Sequence, residues 1–242
     1  MIIYGSSSVG KVRKDNQDSY MFDTLNQSVS YAVVCDGMGG ASGGKTASST
    51  AVSMFASSII DVADDYDEVN LKSVVDNAIK VANKEIHNKS INDPTLLGMG
   101  TTFVCAVVIN DTAYFINIGD SRAYLIRDEV IKRISHDHSA VQELVDQGLL
   151  TESQARNHPN KNIITRALGV ENEIEYDFFK EKVHPNDIIV LCTDGITNYV
   201  DDLEIPFEIL KNNNIETVPQ KLIELANSRG GSDNSTVVII KV

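Results

Sequence analysis

The sequence YAVVCDGMGG, residues 31–40, joins a predicted buried strand to a predicted helix, and the fold prediction starts from it. Its first five residues are apolar and rich in β-formers, which is typical of a strand. Asp36 follows at the strand end, and the glycines at 37, 39 and 40 let the backbone come close to a ligand. The pattern predicts a carboxylate that projects from a rigid strand into a binding site.

Further carboxylates stand in similar contexts. Asp120 and Asp194 each follow an apolar run beside a glycine, as Asp36 does, whereas Asp18 begins a predicted strand and Asp233 precedes one. One Asp-Gly pair is typical of a turn, but three strand-end copies favour a gathered set. Because gathered carboxylates repel each other, cations must offset the repulsion, and oxygen ligands favour Mg²⁺ or Mn²⁺ over Zn²⁺. Their convergence in space is a hypothesis at this point.

Composition narrows the function classes. The chain has 242 residues, 42% of them hydrophobic, and a net charge of −13, without the basic footprint of nucleic-acid binding. No apolar run reaches the roughly 18 residues of a membrane helix, and the first residues lack secretory features, so a cytoplasmic protein is expected.

Cys35, Cys105 and Cys192 lie in apolar runs and are expected to be buried free thiols.

No linker or repeat divides the chain, so one domain, 1–242, is predicted. Short connections favour antiparallel strands, and the segregation of strands from helices predicts an α+β fold with helices covering antiparallel sheets. Asn70 is expected to cap the second helix. Residues 135–164 form a polar excursion of the kind that often contacts substrates. Strands are predicted at 2–9, 18–22, 28–36, 101–109, 112–118, 122–127, 173–181, 187–193 and 235–241, and helices at 42–63, 71–89, 139–147, 152–157, 203–212 and 217–228.

Six short motifs then follow one another in a characteristic order. They are RKDNQD at 13–18, DGMGG at 36–40, GTT at 100–102, GDSR at 119–122, TDG at 193–195 and GSDN at 231–234. Together they resemble the type 2C, metal-dependent (PPM) family of serine/threonine protein phosphatases in its compact bacterial form. The resemblance implies a four-layer α-β-β-α sandwich of two antiparallel sheets flanked by helix pairs, with a small flap near 135–164. It also implies two Mn²⁺ or Mg²⁺ ions, with room for a third.

The resemblance implies roles for individual residues. Asp36 would bridge the two metals and take part directly in catalysis, and Asp194 and Asp233 would complete the ligands of one metal. The main-chain carbonyl of Gly37 would join the other metal. Asp18 would not bind a metal directly but would form hydrogen bonds to metal-bound water.

Two further roles follow from the same resemblance. Asp120 with Asp194 is similar to the weaker third-metal site of bacterial members. Arg13 matches the arginine that binds the substrate phosphate, where its guanidinium can make a bidentate contact.

Met38 and Gln17 depart from the family pattern. Some members carry a histidine at the position of Met38 as a proposed general acid, and methionine cannot transfer a proton. His136 and His138 are candidate substitutes, although polar loop residues without that role are the favoured interpretation. Gln17 replaces an acid found in some members, and Arg166 is interpreted as structural.

The predicted function is hydrolysis of phosphoserine and phosphothreonine in proteins by a metal-activated water, which reverses the action of serine/threonine kinases. Two alternatives stay open: a regulatory phosphatase dedicated to one partner, such as an anti-sigma-factor antagonist, and an inactive binding domain that keeps the fold. The expected partners are phosphoproteins, including a kinase and its substrates. A monomer is expected, without nucleic-acid or membrane partners.

Overall fold

The computed structural model of the chain describes residues 1–60, 68–212 and 214–242. Within these ranges, no helix combines the length and the apolar character needed to cross a membrane. The strands are β1 Ile2–Ser8, β2 Ser19–Thr24, β3 Val29–Cys35, β4 Gly37–Met38, β5 Gly100–Thr101, β6 Phe103–Ile109, β7 Thr112–Ile118, β8 Arg122–Arg127, β9 Val130–Arg133, β10 Asp177–Lys182, β11 Ile188–Cys192 and β12 Ser235–Lys241. The α-helices are α1 Gly40–Ile60, α2 Glu68–Asn92, α3 Ala140–Asp146, α4 Glu152–Arg156, α5 Asp194–Thr197, α6 Glu204–Lys211 and α7 Val218–Ser228.

Two five-stranded sheets form the centre of the molecule, with strand orders β1-β12-β11-β8-β9 and β10-β7-β6-β3-β2. Every neighbouring pair in them is antiparallel. A short β4–β5 ladder lies beside them and pairs Gly37 with Thr101. The prediction of an α+β fold with antiparallel sheets is confirmed.

Strand β3 shows why the sheets are so apolar. Alternate side chains of a strand point to opposite faces. Ala32 and Val34 pack into the core between the two sheets, while Tyr31, Val33 and Cys35 pack into the core beneath α1 and α2. Because both faces are buried, the strand has a continuous apolar sequence instead of an alternating one.

Helices cover the outer face of each sheet. Against one sheet, the Phe55 ring of α1 meets Phe103 of β6 edge-on, with ring centroids 5.0 Å apart. Against the other, Leu222 and Ile223 of α7 share a core with Val190 and Ile239. Three successive cores therefore separate four layers, and the predicted α-β-β-α sandwich is confirmed.

Several predicted boundaries differ from the structure. The first helix occupies Gly40–Ile60, and the predicted extension over 61–63 lies outside the described residues. The prediction of Asn70 as a helix cap is wrong, because Asn70 lies inside α2. The strand predicted at 101–109 is interrupted at Thr102, and β10 begins at Asp177 instead of residue 173. Strand β9 and helix α5 were not predicted, since both are short.

The polar excursion at 135–164 forms the expected flap between β9 and β10. Ser139 caps α3 by accepting the Gln142 N–H, and Thr151 forms a capping box with Gln154 at α4. The base of the flap is closed by a bridge between Ser139 and Ile164. Both predicted flap helices are present.

Candidate metal centre

Asp36 is held rigidly at the end of β3. Its N–H donates to Thr102 Oγ1 at 2.9 Å, and its carbonyl accepts from the Thr102 N–H at 2.9 Å and from Thr101 Oγ1 at 2.8 Å. These bonds use the break between β5 and β6, which explains the interruption at Thr102. The backbone of Asp36 is therefore fixed before any ligand binds.

Gly37 follows in a position that leaves no space for a side chain. A Cβ at Gly37 would collide with the backbone of Gly44 in α1, and a Cβ at Gly44 would collide with the Gly37 carbonyl. Helix α1 thus packs closely behind the loop that carries Asp36. Gln17 donates its side-chain N–H to the Gly40 carbonyl at 2.6 Å, so the residue that departs from the family pattern fastens this same loop.

Asp194 begins the short helix α5, and Thr193 alone separates it from β11. Its Oδ2 accepts from Asn198 Nδ2 at 2.9 Å, whereas its Oδ1 is buried without a hydrogen-bond partner. The carboxyls of Asp194 and Asp36 are close enough to interact. Burial and the neighbouring carboxylate of Asp233 raise the pKa of Asp194 above its ordinary value.

Asp18 lies behind these residues and is only 2% exposed. Its Oδ2 accepts from Thr236 Oγ1 at 2.6 Å and from Thr193 Oγ1 at 3.1 Å, while its Oδ1 is buried without a partner. Burial raises the pKa of Asp18 to about 7, although the two hydroxyls oppose the shift. Asp194 and Asp233 add repulsion in the same direction as burial.

Asp233 forms an ion pair with Arg13, whose Nη2 donates to Asp233 Oδ2 at 2.8 Å. The Arg13 side chain is 55% exposed at the mouth of the cleft. Asn234 fastens the loop that carries Arg13, because its side chain bonds the Gln17 N–H and the Val9 and Asp15 carbonyls. The arginine is thus placed beside the carboxylates by its own loop and by the two residues just before β12.

Asp120 follows β7 on a turn in which Gly119 has φ +100°. The Gly119 N–H donates to His138 Nδ1 at 3.1 Å, and the Gly119 carbonyl accepts from the His138 N–H at 2.8 Å. Burial, followed by repulsion from Asp194 and Asp137, raises the pKa of Asp120 well above its usual range. The flap base therefore positions the Asp120 turn.

The structure brings the predicted residues together in one cleft. Burial, and next the charges of Asp18 and Asp194, raise the pKa of Asp36 well above its usual range. Asp18 lies behind the lining. A cleft of about 450 Å³ is lined by Arg13, Asp36, Gly37, Asp120, Asp194 and Asp233, together with Met38 and other residues.

A second, larger cleft of about 850 Å³ lies between the flap and α5–α6 and shares Asp120 and Asp194 with the first. Lys161 of the flap donates to Asn198 Oδ1 at 2.7 Å, and Arg156 pairs with Asp201. The flap is therefore tied to the segment that carries Asp194.

The carboxylate and carbonyl oxygens of this cleft are suitable ligands for hard divalent cations. Throughout the described part of the chain, no three His, Cys, Asp or Glu side chains meet in a way that could hold an ion by themselves. Mg²⁺ and similar ions, however, are usually held by one or two carboxylates and keep several waters. The buried Oδ1 atoms of Asp18 and Asp194 are acceptors that lack donors. Burial first, and then the neighbouring carboxylates, raise the pKa values of Asp36 and Asp194, and a bound cation would favour the charged forms of both groups.

The two candidate histidines have other partners. His136 Nε2 contacts Asp146 Oδ2 at 2.8 Å inside the flap. His138 Nε2 contacts Asp177 at 3.1 Å, and burial lowers the pKa of His138. Arg166 also contacts Asp177, at 3.2 Å. Neither histidine lines the cleft, which favours the interpretation of all three as structural.

Sequence reasoning missed the residues that hold the carboxylates. Thr193 precedes Asp194 inside a recognised motif and offered some signal, whereas Thr236 and Asn198 lie outside the motifs. Their roles depend on contacts between segments far apart in the chain, which spacing along the sequence does not reveal.

Comparison with known proteins agrees with this architecture. The sequence profile of the family described as protein phosphatase 2C matches residues 8–224. The serine/threonine phosphatase Stp of Listeria monocytogenes is 36% identical over 235 residues, which cover 96% of this chain and 92% of that protein.

Solved structures are similar over the whole chain. The serine/threonine phosphatase of S. agalactiae has a TM-score of 0.93 and 32% identity, covering 100% of this chain and 99% of that one. The catalytic domain of the protein phosphatase PstP, solved in complex with two manganese ions, has a TM-score of 0.84 and 32% identity and covers 98% and 96%. With the profile match over most of its length, the chain belongs to the protein phosphatase 2C family.

Proposed function

We propose that this protein hydrolyses phosphoserine and phosphothreonine in proteins, with two Mn²⁺ or Mg²⁺ ions held in the carboxylate cleft. The observation that carries the proposal is the cleft itself, in which Asp36, Asp194 and Asp233 lie beside the exposed guanidinium of Arg13. The relatives named as serine/threonine phosphatases and the manganese-bound PstP domain support it.

Each residue has a proposed role. Asp36 interacts with several neighbouring carboxylates, first Asp18 and then Asp194, so it is the candidate bridge between two ions. Asp194 and Asp233 would bind one ion, and the Gly37 carbonyl would bind the other. Asp18 would accept hydrogen bonds from water through its unpartnered Oδ1. When bound, the ions supply charge neutralisation and an activated water nucleophile.

Arg13 would bind the phosphoryl oxygens. In the structure it is paired with Asp233, so binding of a cation by Asp233 would release the guanidinium toward the substrate. A planar guanidinium can hold two phosphate oxygens at once. Asp120, beside Asp194, would contribute to a third ion site. Because Met38 has no proton to give, we assign protonation of the leaving oxygen to water.

The wider setting is also proposed. The substrates are phosphoproteins, which implies a serine/threonine kinase that phosphorylates them. We propose that 1–242 acts as a single catalytic domain and as a monomer, without nucleic-acid or membrane partners, in agreement with its net charge of −13. A cytoplasmic location is supported by the three buried free thiols, Cys35, Cys105 and Cys192.

The first prediction tests this function with Asp36→Asn and Asp194→Asn. Phosphate release from a phosphothreonine peptide with Mn²⁺ is expected to fall about a hundredfold or more, because each change removes a charged oxygen from the reacting centre. Titration calorimetry should show weaker Mn²⁺ binding in both variants. Asp128→Asn removes a carboxylate outside the cleft and should behave as wild type; equal activity in all four proteins would refute the proposal.

A further inference from the structure

A groove of about 230 Å³ opens beside the carboxylate cleft. Met38 and Ile164 line both the groove and the cleft, so the two form one continuous surface. Any peptide whose phosphorylated residue enters the cleft must place neighbouring residues near its edges. The groove is therefore in position to contact a substrate next to the phosphorylated residue.

The groove has a largely apolar floor. Its apolar lining comes from β4, from the last residue of the flap and from the segment after the flap, and several of these side chains remain partly accessible. Val170 is 43% exposed although it lies on this surface. The volume of the groove suits one aliphatic side chain. The apolar lining residues are Met38, Ile164, Ala167, Val170 and Ile174.

An acidic rim borders this floor. Glu171, Glu173 and Glu175 alternate along one exposed segment and all line the groove. Arg166 is the cation in the lining, and it contacts Asp177 at 3.2 Å and Glu175 at 3.9 Å. Three carboxylates against one guanidinium leave the lining with a net charge of −2. The rim thus complements a basic side chain.

The rim is held in place by a buried asparagine. Asn83 of α2 is 1% exposed, and its Oδ1 accepts the Gly169 N–H at 2.7 Å. Its Nδ2 donates to the carbonyls of Glu171 at 2.9 Å and Asn172 at 3.1 Å. Because the loop is fixed before binding, little ordering free energy is lost when a peptide docks.

We propose that this groove binds substrate residues next to the phosphorylated one and selects an aliphatic side chain adjacent to a lysine or arginine. The inference rests on the proposed phosphatase function and assigns a sequence preference to it. The apolar floor receives the aliphatic residue, and the three glutamates attract the cationic one. Phosphate binding stays with Arg13, which lines the cleft but not the groove.

The test uses three phosphothreonine peptides of equal length. One carries Leu-Arg directly after the phosphothreonine, one carries Arg-Leu directly before it, and one carries Ala and Glu at these positions. Values of kcat/KM with Mn²⁺ are measured for wild type, for Glu171→Gln/Glu173→Gln/Glu175→Gln and for a control, Glu85→Gln/Glu216→Gln/Glu224→Gln. The control removes the same number of carboxylates outside the groove.

Wild type should prefer at least one of the Leu/Arg peptides over the Ala/Glu peptide by about three- to tenfold, as expected for a few exposed charge contacts. The preference should fall below about twofold in the groove variant, remain in the control and weaken as ionic strength rises. The readout is the ratio of the kcat/KM values of two peptides measured on the same enzyme preparation. A smaller fraction of folded or metal-loaded enzyme lowers both values equally, so it does not change the ratio.

Equal kcat/KM for the three peptides in wild type would overturn the proposal, as would an unchanged preference in the groove variant. Turnover of p-nitrophenyl phosphate by wild type distinguishes failure of the proposed sequence preference from failure of the proposed phosphatase activity. If that ester and all three peptides stay intact with Mn²⁺, the proposed phosphatase activity itself is contradicted.

Discussion

Asn198 connects the flap to the carboxylate cleft through a single side chain. Its Oδ1 accepts from Lys161 Nζ at 2.7 Å, and its Nδ2 donates to Asp194 Oδ2 at 2.9 Å. Because both ends of the amide are used, the amide cannot turn over without losing both bonds. One oxygen of Asp194 is thereby held, and the other, Oδ1, stays buried and without a partner.

The second prediction concerns this link. Asn198→Ala should weaken Mn²⁺ binding about ten- to hundredfold, since residues that orient a ligating carboxylate typically have effects of that size. Titration calorimetry measures the binding without reference to turnover. Asn157→Ala, in the flap but outside the cleft, is the matched control because its side chain donates to the Ser153 carbonyl of the preceding helix α4. An unchanged dissociation constant in Asn198→Ala would contradict the role.

Individual carboxylates were predictable for a physical reason. An apolar run precedes each of Asp36, Asp120 and Asp194. The neighbouring residues therefore predict that each carboxylate lies at the end of a strand. The supports of Asp18 were not predictable, because Thr193, just after β11, and Thr236, in the neighbouring strand β12, are far from Asp18 in the chain. A hydroxyl's partner depends on strand order, which local sequence does not specify.

Among the secondary-structure elements, local sequence likewise predicts strands but not the point at which a strand is interrupted. Strand β3 was predicted because burial of both faces gives a continuous apolar run. The break at Thr102 was not, since threonine is a good strand former and GTTFVCAVVI has no turn signal. The break exists because the Thr102 hydroxyl and N–H bind the backbone of Asp36. Hydrogen bonds to a distant segment of the chain here override local propensity.

The third prediction tests how α2 supports the loop at 169–172. Asn83→Ala removes the partners of one buried N–H and two carbonyls, so it should lower the free energy of unfolding by about 2 kcal/mol. Urea unfolding measures the change, with an unaltered denaturant slope.

Lys84→Ala is the control for this prediction. It changes the adjacent exposed residue of the same helix and should shift the free energy by less than about 0.5 kcal/mol. A similar small effect of Asn83→Ala would show that the loop does not depend on the buried amide.

For the whole molecule, the gathered carboxylates link stability to pH and to cations. In the metal-free protein, burial raises the pKa of Asp18 from its ordinary 3.8 to about 7. The same cause raises the pKa values of Asp36, Asp120 and Asp194. A carboxyl whose pKa is raised by folding stabilises the fold fully below its unfolded pKa, and this contribution is lost as pH rises through the folded pKa.

The fourth prediction follows from this loss of stability with rising pH. Without metal, in the presence of a chelator, the protein should unfold at lower urea concentration at pH 8.0 than at pH 5.5. Mn²⁺ should restore stability, and the gain should be larger at pH 8.0, because deprotonated carboxylates bind cations and ligand binding to the folded state stabilises it.

Asp18→Asn isolates the contribution of one residue to this pH dependence. The lowered pKa of His138 acts in the opposite direction, since a histidine kept neutral by burial destabilises the fold as pH falls through its unfolded pKa. That contribution is the same in wild type and variant, so it cancels in the difference between them. Because the amide introduced by Asp18→Asn carries no titratable charge, the metal-free variant should lose less stability than wild type between pH 5.5 and 8.0. Parallel losses in the two proteins would mean that Asp18 does not titrate in this range.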